Sequence, residues 1–139
     1  MIEINNLTNF TVDKKFFLGV AKKVLKGENK ERENISIAFV SSAEIKKLNK
    51  KYKKKNKPTD VLSFGNSLGF KSLNRQGSPF RVADLSEVVI CPEIVKKNGD
   101  ELAKMLVHGI LHILGYDHEK SEQKAIEMEK KQDYYLSKI

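Results

Sequence analysis

An α+β architecture is expected for this 139-residue chain: a small mixed β-sheet of about four strands, covered by helices, with a central histidine-bearing helix. Three features point to it. Short apolar segments at strand spacing intermix with longer ones at helical spacing. The segment around residue 110 is apolar almost all round, which belongs to a helix in the middle of a fold. No repeat or linker divides the chain, so residues 1–139 are expected to form a single domain, long enough to bury roughly two thirds of its unfolded surface.

The elements follow in order. Ile2-Glu3-Ile4 alternates and reads as a first strand. Phe16, Phe17, Val20, Ala21, Val24 and Leu25 recur at helical spacing, and Gly27 ends that run as a C-terminal cap would. Ile35, Ile37 and Phe39 alternate with smaller residues in a second strand. Ser41 stands three residues before Glu44, the pattern of a capping box. The helix it opens is expected to bury Ile45, Leu48 and Tyr52, with Lys46, Lys47, Lys50, Lys51, Lys53 and Lys54 on its other face. Asn56-Lys57-Pro58-Thr59 marks a turn, because proline disfavours helix in the residue before it. Val61-Leu62-Ser63-Phe64 is a third strand, and residues 65–84, rich in Gly, Ser and Asn, form a long connection. Glu87-Val88-Val89-Ile90 is a fourth strand; Pro92 opens a short helix that Asn98-Gly99 closes. Asp100 is expected to cap a helix running to about residue 114. A last helix from Ser121 carries Ala125, Met128, Tyr135 and Ile139 at helical spacing.

The chain carries 26 basic against 18 acidic residues, a net charge of +8, and its pI is about 9.5. Such an excess of lysine favours a polyanionic partner, most simply nucleic acid, although charge alone does not separate this from an anionic membrane surface or an acidic protein. One cysteine, Cys91, excludes an internal disulfide and agrees with a reducing compartment. The N-terminus lacks a basic region followed by an apolar run, and no stretch approaches the roughly 20 apolar residues of a membrane span. A cytoplasmic protein without membrane association is the expectation.

All three histidines fall within the run His108-Gly109-Ile110-Leu111-His112-Ile113-Leu114-Gly115-Tyr116-Asp117-His118. His108 and His112 are four apart and share a helix face, with Cβ atoms roughly 5–6 Å from each other, close enough for both imidazoles to reach one ion. Six more residues of helix would carry His118 about 9 Å along the axis and off that face. The chain must therefore stop and fold back, and Gly115 stands where the break is needed. Three imidazoles leave a fourth coordination position for water, the catalytic rather than the structural pattern. Zinc suits an all-imidazole tetrahedral site; nickel, copper and iron also accept imidazole. The spacing superficially matches the extended zinc-protease signature, but the glutamate that serves proteases as general base is replaced here by Gly109.

The run His108-Gly109-x-Leu111-His112-x-x-Gly115-Tyr116-Asp117-His118, together with Leu48-Asn49 through Tyr52 to Pro58-Thr59-Asp60-Val61-Leu62-Ser63-Phe64, resembles the YbeY family, bacterial metal-dependent endoribonucleases of ribosomal RNA maturation. The order of elements agrees over nearly the whole chain. Lysine stands at 53, where the family usually has an arginine thought to serve RNA binding or cleavage, and Leu85-Ser86-Glu87-Val88 replaces the family's Leu-Gly-Asp-Ile. The resemblance implies a single-strand-specific endoribonuclease that matures the 3′ end of small-subunit rRNA and acts in late ribosome quality control. It implies zinc as the metal, and single-stranded RNA, ribosomal RNA and small-subunit components as partners.

On this reading His108, His112 and His118 hold the metal, which activates water or assists attack by the RNA's own 2′-hydroxyl. Lys53, with Lys50, Lys54, Lys55 and Lys57, holds phosphates or forms a solvated helix face. Asp117 orients an imidazole from behind or caps the final helix. Arg75 and Arg81 are weaker candidates. Cys91 is a small buried hydrophobe or a fourth ligand. Phe64, Tyr52 and Tyr116 stack on bases or pack in the core. Two other readings stay open: a metallopeptidase-like hydrolase, which Gly109 opposes, and a non-enzymatic ribosome-binding module whose structural metal needs Cys91 or Asp117 as fourth ligand.

Overall fold

A computed structural model describes residues 1–65 and 85–139. The connection expected at 65–84, with Arg75 and Arg81, lies outside the described residues apart from Gly65. The elements run β1 (Ile2–Asn6), α1 (Lys14–Gly27), β2 (Ile35–Phe39), α2 (Ser42–Lys53), β3 (Val61–Phe64), β4 (Ser86–Ile90), α3 (Pro92–Lys97), α4 (Leu102–Ile113) and α5 (Glu122–Leu136). The four strands form one mixed sheet in the order β1-β2-β4-β3. β1 and β4 flank β2 in parallel, with Ile37 opposite both Ile4 and Val88. β3 closes the edge antiparallel to β4, with Ser63 opposite Val88.

Helices cover both faces of the sheet, and strand alternation decides which residues meet them. Ile35, Ile37 and Phe39 of β2 and Val88 and Ile90 of β4 cluster with the apolar faces of α1, α4 and α5. Ala38, Leu62, Phe64 and Val89 point the other way and cluster with Ile45 and Leu48 of α2. The inner strands β2 and β4 are buried on both faces, as parallel strands between helical layers are. α4 is the central helix: Met105, Leu106, Val107, Ile110 and Leu111 are all buried, and it packs on α1, α5, β3 and β4. Among the described residues no helix is long and apolar enough to cross a membrane.

The caps of α2 and α5 follow the local sequence. Ser41 Oγ accepts from the Glu44 N–H at 3.2 Å and Ser121 Oγ from the Lys124 N–H at 3.1 Å, each satisfying an amide that the first helical turn leaves unpaired. Four expectations need correction. Asp100 does not cap α4: the N-cap residue is Glu101, with no side-chain cap bond, and the Asp100 carboxylate accepts instead from Lys104 Nζ at 3.4 Å. Gly27 is not the residue that turns out of α1. It is the last residue of the helix, and Asn29 takes the left-handed conformation at φ 58°. Gly27 is needed because a Cβ there would collide with the ring of Tyr135. Tyr52 is exposed, and Asn49 takes its expected place in the buried face of α2. Ile139 lies beyond the end of α5 and is exposed.

One carboxylate ties three parts of the helical layer together. Glu28, the C-cap residue of α1, accepts from Tyr116 Oη at 2.6 Å and from Tyr135 Oη, and pairs with Lys131 Nζ at 3.3 Å. Burial by itself raises the Glu28 carboxyl, but hydrogen bonds from Tyr116, Tyr135 and Lys131 outweigh it and hold the group below its ordinary value. Burial and the same carboxylate push the Tyr116 phenol up to about 12 and raise that of Tyr135. A carboxyl depressed in the folded state contributes stability that is complete above its unfolded value and is lost as pH falls through its folded value. The stability difference between wild type and Glu28→Gln, measured by denaturant unfolding, is therefore expected to be constant near neutrality and to shrink below the ordinary carboxyl value of 4.5.

Candidate metal centre

His108 and His112 project from adjacent turns of α4, their ring centroids 4.7 Å apart. His118 joins them from outside the helix, with centroids 4.9 Å from His112 and 5.2 Å from His108. One ring nitrogen from each lies within 4.8 Å of the others, the separation of a group able to share one ion. The fold-back is the expected one. The Gly115 N–H donates to His112 O at 3.1 Å and the Tyr116 N–H to Leu111 O at 3.0 Å, the paired bonds of a Schellman turn. Gly115 sits at φ +105°, a conformation open to glycine at little cost and strained for any side chain.

Each imidazole is prepared differently. His108 Nδ1 lies 3.0 Å from Gln132 Oε1. An amide oxygen only accepts, so Nδ1 carries the proton and Nε2 keeps its lone pair for a ligand. Burial lowers the pKa of His108, with His118 and Lys104 adding to the effect and Gln132 and Asp60 opposing it. His112 is lowered by burial, then by the two neighbouring imidazoles, against Asp117. Both rings are thus held in the neutral, ligating form at neutral pH. His118 is exposed, and Glu119 Oε1 lies 4.0 Å from its Nε2.

Gly109 faces the sheet. A Cβ there would stand 2.7 Å from Val88 Cγ1 and 3.1 Å from Ser63 Oγ, and Ser63 Oγ donates to the Gly109 carbonyl at 3.0 Å. The helix lies too close to β3 and β4 for a side chain, so a protease-type glutamate has no room at this position.

The trio opens into a cleft of about 920 Å³ that Lys53, Lys55, Lys57 and Lys104 also line. Lys53 Nζ lies 5.6 Å from the centre of the Phe64 ring. Lys54 takes a left-handed conformation at the end of α2. The lysine turn that follows is tied to Asn49, whose carbonyl accepts from the Lys55 N–H at 3.3 Å and whose amide donates to Lys57 O at 2.9 Å. Lys50 and Lys54 are not among the cleft-lining residues. Asp117 does line the cleft; its carboxylate accepts from the Glu119 N–H at 2.8 Å, while the cap of α5 is Ser121.

Cys91 is no ligand. It is fully buried in the apolar cluster beneath α2, where burial raises its thiol pKa. Among the described residues no cysteine or carboxylate joins the three imidazoles. Of the three aromatic residues considered for base stacking, Phe64 is a core residue and Tyr116 is bonded to Glu28, which leaves Tyr52 exposed beside Phe64. Gln132 is the site residue that sequence reasoning missed, and Asn49 and Asp60 carry no role in it beyond the family resemblance. Gln132 had a signal: it stands between Met128 and Tyr135 at core spacing on α5, a polar residue in an apolar stripe.

A family model described as Endoribonuclease YbeY matches residues 3–139. The chain is 35% identical over 137 residues to the Endoribonuclease YbeY of Persephonella marina, covering 93% of this chain and 85% of that protein. It is 39% identical over 115 residues to that of Bdellovibrio bacteriovorus, covering 77% of this chain and 67% of the relative. Among solved structures, the solution structure of a Thermotoga maritima protein superposes with a TM-score of 0.61 at 28% identity, covering 98% of this chain and 87% of that one.

Gly109→Ala is expected to destabilise the protein by about 1–3 kcal/mol, the usual cost of overpacking a tight contact, as read by denaturant unfolding. Gly109→Glu is expected to cost more and to confer no peptide cleavage.

Proposed function

Because the chain belongs to the YbeY family of endoribonucleases, we propose that it cleaves single-stranded RNA at a metal ion held by His108, His112 and His118. The observation that carries this is the convergence of three imidazoles on one point at the edge of a cleft that four lysines line together with Asp60, Asp117 and Glu119. The donor set fits a zinc-type ion: two ligands are held neutral by burial and His108 has its tautomer set by Gln132. Zinc is the metal we propose, since three neutral nitrogens suit its tetrahedral preference. With no fourth protein ligand among the described residues, the arrangement supports a catalytic rather than a purely structural metal. With no room for a glutamate at 109, it does not support a peptidase.

A bound divalent ion supplies Lewis-acid charge to a phosphodiester and makes a coordinated nucleophile easier to deprotonate. The protein's own groups do the rest. Lys53, Lys55 and Lys57 hold phosphates along the cleft, each as a compact point charge rather than a bidentate fork. Contact between the Lys53 ammonium and the Phe64 ring helps to orient it. Asp117 favours positive charge on His112, and by accepting from the Glu119 N–H it orders the turn that contains His118. Exposed Tyr52 offers a ring for an unpaired base, which suits single-stranded substrate. The cellular setting we propose is cytoplasmic maturation of the 3′ end of small-subunit rRNA and late ribosome quality control, in which ribosomal RNA and small-subunit components are the partners.

Metal analysis of the purified protein, paired with cleavage of single-stranded RNA, tests this reading. Chelator is expected to abolish cleavage and zinc to restore it. His112→Ala is expected to fold and to lose both metal and cleavage; cleavage by a folded, metal-free variant would sink the proposal. Lys53→Ala is expected to weaken RNA binding and to reduce the slope of log affinity against log salt by about 0.7, the contribution of one phosphate contact on a single strand.

A further inference from the structure

We infer that Glu28 is a positioning residue for the imidazole trio: its carboxylate holds both supports of the site, the turn that carries His118 and the helix that carries Gln132, and so sets how tightly the trio takes a metal ion. The inference rests on the reading of the trio given above. Glu28 is not a lining residue of the cleft and lies outside both the lysine-bearing segment 48–64 and the histidine run 108–118.

Its two oxygens are divided between the two supports. Oε1 accepts from Tyr116 at 2.6 Å, while Oε2 accepts from Tyr135 and pairs with Lys131 at 3.3 Å. Tyr116 is thereby pinned at both ends. Its backbone N–H closes the Schellman turn on Leu111 O, and its hydroxyl is anchored on Glu28. Only Asp117 separates it from His118, so the path of the chain into the third imidazole has little slack. On α5, Lys131 and Tyr135 flank Gln132, the residue that sets the tautomer of His108. Gly27, next to Glu28, has no Cβ, which lets the Tyr135 ring lie against the end of α1 and reach the carboxylate. A charged acceptor shared by two phenols and an ammonium makes stronger bonds than a neutral one. The groups that orient metal ligands commonly matter to affinity by 10–100-fold.

The test measures metal binding directly, apart from RNA cleavage. Zinc affinity of the folded protein is read by competition with a chromophoric chelator, and coordination by the visible absorption of the cobalt-loaded protein. Glu28→Ala and Tyr116→Phe are each expected to weaken zinc binding by about tenfold or more and to alter the cobalt spectrum. Glu28→Gln, which keeps an oxygen for Tyr116, is expected to lose less. Ile45→Ala, which opens a cavity on the opposite face of the sheet, is expected to lose stability and keep wild-type affinity. If Glu28→Ala is destabilised like Ile45→Ala but binds zinc as wild type does, the carboxylate only stabilises helix packing and the inference is overturned. Should Glu28→Ala fail to fold, Tyr116→Phe and Glu28→Gln decide by the same measurement. Wild-type protein that takes up no metal would sink the reading of the trio and this inference together; loaded wild type with unaffected variants would overturn this inference alone.

Discussion

A straight helix can bring two histidines four residues apart to one ion, but not a third one six residues further on. The site therefore depends on where α4 stops. The Schellman bonds from Gly115 and Tyr116 back to His112 and Leu111 end the helix within three residues of the second imidazole. A positive φ at Gly115 turns the chain so that His118 returns over the helix end. Local backbone chemistry thus converts a linear spacing into a cluster whose nitrogens lie within 4.8 Å of one another.

That turn would have little value on a mobile helix. α4 is held on nearly all sides, by α1, α5, β3 and β4, and its buried residues belong to the larger of the two cores. The same burial that makes the helix rigid keeps His108 and His112 neutral by penalising the charged imidazolium. Packing and ligand chemistry therefore come from one cause. At Gly109 the helix meets the sheet, and Val88 and Ser63 occupy the space a side chain would need. The His-x-x-x-His spacing that in proteases frames a catalytic glutamate here frames a packing contact, and the lysines that line the cleft stand across from it.

Those groups come from the opposite layer. α2 buries Ile45 and Leu48 on the far face of the sheet, yet its C-terminal end reaches the cleft through Lys53 and the turn that Asn49 secures. The sheet edge at β3 is what allows both layers to meet, since Ser63 faces α4 while Leu62 and Phe64 face α2. The imidazole trio and the cleft-lining lysines of the α2 end thus sit on separate supports that share one strand.

Much of this was legible in the linear chain because it is governed by nearby residues. Apolar patterning marked most of the helices and strands described, Pro92 and Asn98-Gly99 bracketed the short α3, the Ser41 and Ser121 caps followed from side chains within three residues of the amides they satisfy, and three histidines around one glycine announced their own convergence. What periodicity could not supply was anything that depends on pairing across the chain. β4 lies between β2 and β3, with β3 reversed, and no local pattern encodes which strands become neighbours. The same limit explains Gly27, whose need for a missing Cβ is set by the distant Tyr135 ring. Gln132 and Glu28 stand 24 and 88 residues from the site residues they bond, His108 and Tyr116. Their roles exist only once the helices are packed, because a hydrogen bond between remote residues is a property of their spatial arrangement and leaves no period in the sequence.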